Sequence, residues 1–362
     1  MTTAPGSPPT VPRHRSAPLR LGWWHSFWRQ VLLFGHERPG LQPLSGDVPD
    51  PVRELALLIE DRRSEFANVA RLRGADYKGG YWMMYLVAPL AVFCGALASA
   101  DSGHSGILSG IEFLLIVSIL LLFIAMRRGH WQEQWIRARR TAEHLRYLPL
   151  VAPFVQDPAG NWYEDVAAHH GVQIIIDEEV TRVCKVLERG NATHALRLDN
   201  ALFRAEYLRY VDELLTQQIG YHSANADIEH ALSHRISLAS NAFFGITIIC
   251  AALLFLESFA TSLGIGDYLR PRVLRLLATV LPAVGAGLRG LLAQGESHRV
   301  AAISDGMALR LGQLRAQLRA LAPGPESKDA LESLIWNAVQ ELLSEADTWM
   351  RLQESVPLSV TG

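Results

Sequence analysis

The chain has 362 residues, of which 49% are hydrophobic and 19% are charged, and its formal net charge is −2. This balance is too apolar for a typical soluble protein and favours a membrane protein with soluble parts. The near-zero net charge gives no basic field for nucleic acid, so we expect no nucleic-acid partner. The three cysteines, Cys94, Cys184 and Cys250, lie too far apart for a disulfide framework or a zinc motif.

The first 80 residues precede any long apolar run. Residues 1–20 are rich in proline, serine and threonine and lack the apolar core of a signal peptide, so they are predicted to form a disordered tail. Residues 21–80 are predicted to form cytoplasmic or interfacial helices. The stretch LGWWHSFWRQVLLFG (Leu21–Gly35) sets tryptophans beside Arg29, which is typical of a helix in the headgroup region. A helix packed on the protein would give the same pattern, and both interpretations stay open.

Two long apolar runs then follow in quick succession. Tyr81–Ala100 contains 20 residues without a charge, and Ile107–Met126 is a second run of similar length. A helix of about 20 residues crosses a bilayer core of about 30 Å. Because only DSGHSG separates the runs, they are predicted to form a first transmembrane hairpin at residues 81–126 rather than a helix pair in a soluble core.

Residues 127–237 have no alternating strand pattern and are predicted to be a cytoplasmic helical region. From Ala195 onward, apolar residues recur at helical spacing for about 40 residues. This amphipathic helix is predicted to continue without a break into a third apolar run at residues 238–260.

A fourth apolar run covers residues 274–292 and contains Pro282, Gly285, Gly287 and Arg289. Together with the third run it is predicted to form a second transmembrane hairpin at residues 238–292. Residues 293–362 return to an amphipathic pattern and are predicted to be C-terminal cytoplasmic helices.

The predicted fold is therefore an all-α membrane protein with two transmembrane helical hairpins and long amphipathic helices that form a cytoplasmic bundle. In a crude internal repeat, a cytoplasmic helix enters each hairpin and another leaves it. Basic residues on both sides of the first hairpin, with none in its turn, predict both termini in the cytoplasm. The second hairpin fits this rule less well, because its loop contains Arg270, Arg272 and Arg275.

The segment after the second run, GHWQEQWIRARRTAEHLRYLPLVAP, is the most distinctive in the chain. Trp131, Trp135 and Arg139 recur at intervals of four, and Glu143 and Arg146 continue on the same helix. This pattern suits a helix that leaves the membrane through the headgroups and then packs by ion pairs. The membrane-exit candidates are Trp131, Trp135, Arg139, Arg140, Glu143 and Arg146.

With Glu112 at the start of the preceding run and AEHLR at its end, this segment resembles the SLATT family. These are two-transmembrane effector domains associated with SMODS and SLOG nucleotide systems. QQIGYH (Gln217–His222), HALSHR and LPAVGAGLRGLLAQGE (Leu281–Glu296) are similar to the membrane regions of larger, four-span relatives. The resemblance runs from about Glu65 to Trp349.

The resemblance implies an oligomeric membrane effector of bacterial conflict or anti-phage defence, which forms pores or perturbs the inner membrane when a nucleotide-linked sensor is triggered. The chain contains no strand followed by a glycine-rich phosphate loop, so a sensor is expected to be a separate polypeptide. The expected partners are the lipid bilayer, further copies of the chain and this sensor. A non-conducting membrane anchor whose helical bundle docks a partner is the alternative. A small transporter is a third hypothesis, and its only support is the fourth run, which proline and glycine residues interrupt.

The candidate pore or gating residues are Glu112, Glu257, Arg289 and Pro282. Both acids are either hydrated at the outer ends of their spans or form an acidic vestibule that favours cations. Arg289 either pairs with an acid or extends to the inner headgroups. Pro282 and the nearby glycines either kink the fourth helix or let a neighbouring helix approach closely.

No catalytic set is recognisable in the sequence. His230 and His234 are four residues apart, but no carboxylates complete a metal site and the order differs from that of a zinc protease. We therefore expect no enzyme activity, no metal and no cofactor.

Overall fold

A computed structural model describes residues 21–32, 50–100, 103–154, 163, 167–168, 178–189, 201–262, 271–321 and 328–355. Every element within these ranges is helical, as predicted. The predicted tail at residues 1–20 lies outside the described residues. The helices are α1 (Gly22–Leu32), α2 (Asp50–Ala100), α3 (Ser105–Arg128), α4 (Trp131–Val151), α5 (Glu178–Arg189), α6 (Ala201–Ser262), α7 (Pro271–Gly295), α8 (Ser297–Ala320) and α9 (Lys328–Ser355).

Four regions of these helices are long and apolar enough to cross a membrane. They lie in Ile59–Ala100, Ser105–Arg128, Arg204–Ser262 and Arg272–Ala320, and each contains one of the four predicted apolar runs. In α3, none of the most apolar window is buried within the protein. Large apolar side chains such as Phe113 and Leu121 are exposed on this helix.

Two helices are far longer than the spans they contain. The α2 helix has 51 residues and α6 has 62. The predicted continuity of the third apolar run with the helix before it holds from Ala201 onward. Each long helix therefore runs without interruption from the polar end of the molecule to its apolar end.

The apolar segments pack side by side in the order α3, α2, α7, α6. The α2 helix contacts α3 and α7, and α7 contacts both α2 and α6. At the polar end, α4 packs on α2, α8 packs on α6, and α9 lies against both α4 and α8. The core of this end is closed around large residues that include Tyr207, Trp336 and Met307.

The α1 helix packs on the protein, which is one of the two interpretations of its sequence. Its inner face packs on α2, where the Leu21 amide donates to Asp76 Oδ1 at 3.1 Å. Arg29 forms an ion pair of 2.9 Å with Glu229 on α6. Its outer face shows Trp23 and Phe27, which are 64% and 48% exposed. The helix is thus packed on the protein and also presents an aromatic edge.

Candidate functional site

The α3 and α4 helices are separated by two residues, Gly129 and His130. His130 adopts a left-handed backbone conformation with φ of 48°, and α4 begins at the next residue. The Gly129 amide donates to the Ala125 carbonyl at 2.9 Å and closes the end of α3. Both helices pack on α2. The α3 helix lies against its C-terminal part, where Gly95 meets Glu112, and α4 lies further towards its N-terminus, where Gly74 meets Trp135.

The two tryptophans of the membrane-exit segment lie inside the protein. Trp131 and Trp135 are only 7% and 6% exposed. Gly74 of α2 makes room for Trp135, since a Cβ atom there would lie 2.4 Å from the indole Nε1. The Lys78 ammonium lies 5.0 Å from the ring centroid of Trp135. These side chains anchor α4 on α2 and do not face headgroups as the sequence pattern indicated.

The charged residues of the same segment divide into two groups. Arg146 pairs with Glu143 at 3.0 Å, one turn away on α4. Arg139 and Arg140 are half-buried, and the charge of Arg139 acts on His222 of α6. An ion pair therefore follows the tryptophans within α4, and the charge of Arg139 acts on α6.

His222 is a buried histidine held in its neutral form. Its side chain is 3% exposed, and burial, together with the charges of Arg139 and Arg310, lowers its pKa to about 4. An unfolded chain protonates this histidine near pH 6.5. Because the unfolded state binds the extra proton, the contribution of His222 to the free energy of unfolding is fully present above about pH 6.5. It is lost as the pH decreases towards 4.

We expect acidification from pH 7 to pH 4 to cost about 3 kcal/mol through His222. The melting temperature of the detergent-solubilised protein, measured across this range, should fall less steeply for His222→Gln than for the wild type. His234→Gln, at an exposed position of the same helix, should keep the wild-type slope. Equal slopes in all three proteins would contradict a neutral buried His222.

Glu112 and Glu257 are both half-buried but lie on different helices. Glu112 lies against α2 at Gly95, where a Cβ atom would be 2.5 Å from its Oε1. Glu257 is near the end of α6, and its Oε2 is enclosed without a hydrogen-bond partner among the described residues. Because α3 and α6 are at opposite ends of the helix row, one chain does not bring the two acids into a shared vestibule.

Arg289 and Pro282 both lie in α7, which is unbroken from Pro271 to Gly295. Arg289 donates to Asn241 Oδ1 of α6 at 2.5 Å and is exposed. Glycines that follow Pro282 make close contacts with a neighbouring helix. A Cβ atom at Gly287 would lie 2.6 Å from the Tyr85 carbonyl oxygen, and one at Gly290 would lie 2.3 Å from the Tyr85 ring. Close approach of a neighbouring helix, one of the two predicted roles, is therefore present.

The structure adds a charged contact that the sequence did not indicate. Asp212 of α6 accepts from Arg315 at 2.8 Å and from Arg319 at 2.9 Å, both on α8. These hydrogen bonds lower the pKa of Asp212 to about 2. Asp212 is more than 100 positions from either arginine in the sequence, so only the fold identifies them as partners.

Comparison with known proteins finds a family model that matches one part of the chain. Residues 70–151 match the family model described as "Protein of unknown function (DUF4231)". The matched segment covers the C-terminal part of α2, all of α3 and all of α4. This is less than a quarter of the chain. No curated protein and no solved structure matches the chain.

Proposed function

We propose that the chain is the subunit of a homo-oligomeric membrane effector that conducts ions across the bacterial inner membrane. The observation that carries this proposal is the continuity of α2 and α6 from the polar helical end into the apolar segments. Because each helix is continuous, a displacement of the polar end is transmitted along it to the spans. The polar helices thus act as the gate.

The arrangement of the apolar helices supports an oligomer. Four helices in an open row, with α3 and α6 at its ends, do not enclose a water-filled path. Several rows are needed to surround one. Glu112 and Glu257 lie on these two end helices, so an acidic mouth that favours cations is built from the acids of several subunits.

The proposed topology has two transmembrane hairpins and both termini in the cytoplasm. Support comes from the basic residues that flank the first hairpin, which follow the positive-inside rule. The polar helices α4, α8 and α9 then form a cytoplasmic bundle with the N-terminal parts of α2 and α6.

The resemblance of the membrane-exit segment to the SLATT family supports a role in bacterial conflict or anti-phage defence. On this proposal, a nucleotide-linked sensor encoded separately binds the bundle and opens the path. A non-conducting membrane anchor is the second candidate. The extensive bundle core around Tyr207 and Trp336 favours it, because such a core forms a rigid docking body without any need for a pore.

Ion flux through liposomes that contain the purified protein tests the proposal. We expect cation flux in the wild type and reduced cation over anion selectivity in Glu112→Gln and Glu257→Gln, because each change removes one charge per subunit from the path. Glu133→Gln, at an exposed position of α4, is the matched control and should keep wild-type selectivity. A sealed bilayer, with a monomer in detergent and in the membrane, would support the anchor.

A further inference from the structure

The described structure contains two copies of one helical unit. In the first unit, α2 runs from the polar end to the apolar end, and α3 and then α4 run back along it. In the second unit, α6 runs from the polar end to the apolar end, and α7 and then α8 run back along it. Each return path breaks at a non-glycine residue in the left-handed conformation, His130 with φ of 48° and Glu296 with φ of 49°. No other described non-glycine residue has a positive φ.

Each buried position of α8 has a buried counterpart after the first break. The breaks are 296 − 130 = 166 residues apart, and subtracting 166 from each buried residue of α8 gives a buried residue of α4 or of the short turn that follows it. The pairs are Trp131 and Ser297, Trp135 and Ala301, Ala138 and Ser304, Thr141 and Met307, Leu145 and Leu311, and Ala152 and Leu318. The two units therefore share the break and the spacing of a buried face after it, although α4 buries further residues that α8 does not.

The two units also differ in the surroundings of α3 and α7. The α7 helix packs on α6 of its own unit and also on α2 of the other unit, through Gly287 and Gly290. The α3 helix packs on α2 of its own unit, but it has no comparable interface with α6. The position equivalent to Gly287 is Leu121 (287 − 166), which is 60% exposed. One of the two equivalent interfaces is thus absent from the single chain.

We propose that a second copy of this chain supplies the missing interface, so that α3 of one subunit packs on α6 of the next. This inference rests on the proposed homo-oligomer and specifies its contact. The α7–α2 interface inside the chain is the pattern for it. Because the contact joins two different surfaces, it is heterologous and propagates from subunit to subunit until a ring closes.

The glycines of the two end helices agree with this contact. Gly95, Gly287 and Gly290 are all closed off by neighbouring atoms, whereas Gly110 of α3 and Gly245 of α6 have no atom within 4 Å of an added Cβ. Small residues let membrane helices approach closely. On α3, Gly110, Leu114 and Leu121 share one face, since they are four and seven residues apart. On α6, Gly245, Ile249 and Leu256 share one face in the same way.

Disulfide crosslinking between two differently tagged chains tests the contact. Both chains have their three native cysteines replaced by alanine; one carries Leu114→Cys and the other Ile249→Cys. These positions lie near the middle of residues 107–126 and 238–260, at similar depth in the membrane. Oxidation in native membranes should give a heterodimer. The control replaces Leu114→Cys with Ile116→Cys, an exposed position at the same depth on another face of α3, and the heterodimer should be lost.

Three results would overturn the contact: equal crosslinking of the pair and its control, dimers of the Leu114→Cys chain with itself, or no crosslink in an oligomer shown by native mass measurement. The last two leave the proposed pore intact if the liposomes still conduct. A specific heterodimer in protein that never conducts would instead confirm the contact and refute the pore. A monomer in membranes would refute both.

Discussion

Replacement of Gly287 by alanine is expected to destabilise the protein by about 3 kcal/mol, because the added Cβ has no room. It would lie 2.6 Å from the Tyr85 carbonyl oxygen and 3.1 Å from the Pro89 ring. The first atom belongs to the backbone of α2, which cannot rotate away as a side chain would. The α7 helix must therefore move off α2, and the melting temperature in detergent should fall by several degrees.

Gly220→Ala is the matched control for this change. Gly220 lies within α6 and is exposed, and an added Cβ there meets no atom within 4 Å. Alanine is favoured over glycine in a helix by about 1 kcal/mol, so this variant should melt at the wild-type temperature or slightly above it. If Gly287→Ala and Gly220→Ala behaved alike, the close contact between α7 and α2 would be refuted.

Trp336→Ala is expected to cost 3 kcal/mol or more, since replacing a buried tryptophan by alanine typically costs about 3–5 kcal/mol. Trp336 of α9 is fully buried, and its ring centroid lies 6.0 Å from that of Tyr163. Its loss leaves a cavity where α9 meets α4 and α8. Limited proteolysis should then cut the polar helices faster, while the protein remains in the membrane fraction after alkaline extraction.

Leu309→Ala, at a position on α8 that is 65% exposed, removes apolar volume without opening a cavity. Its proteolysis rate should match that of the wild type. A Trp336→Ala protein as resistant as Leu309→Ala would show that the polar helices do not share one core. Loss of the Trp336→Ala protein from the membrane fraction would show that the apolar segments depend on that core for insertion.

The helical elements were predictable from sequence because length and apolarity identify them one at a time. Tyr81–Ala100 and Ile107–Met126 carry this signal within a single window of the chain, and each lies in a helix. The continuity of α6 was also predictable, since no proline or strong turn signal interrupts its helical periodicity.

The packing partners were not predictable, because an apolar stripe shows which face is buried but not against what. Trp131 and Trp135 carry the pattern of headgroup residues, yet Gly74 of α2 provides a space for the indole. The pairing of Asp212 with Arg315 depends on two helices that meet only in the folded chain. Likewise, the order α3, α2, α7, α6 follows from Gly287 and Tyr85, whose contact has no local sequence signal.

The proposed four-span topology is tested most directly by labelling single cysteines from outside intact cells with a membrane-impermeant maleimide. In a chain without its native cysteines, Gly103→Cys and Thr261→Cys should react in intact cells, since each lies at the outer end of a proposed hairpin. Glu133→Cys and Gly312→Cys, near the polar bundle, should react only after the membrane is permeabilised. Labelling of Thr261→Cys only after permeabilisation, or of Gly312→Cys in intact cells, would contradict the account.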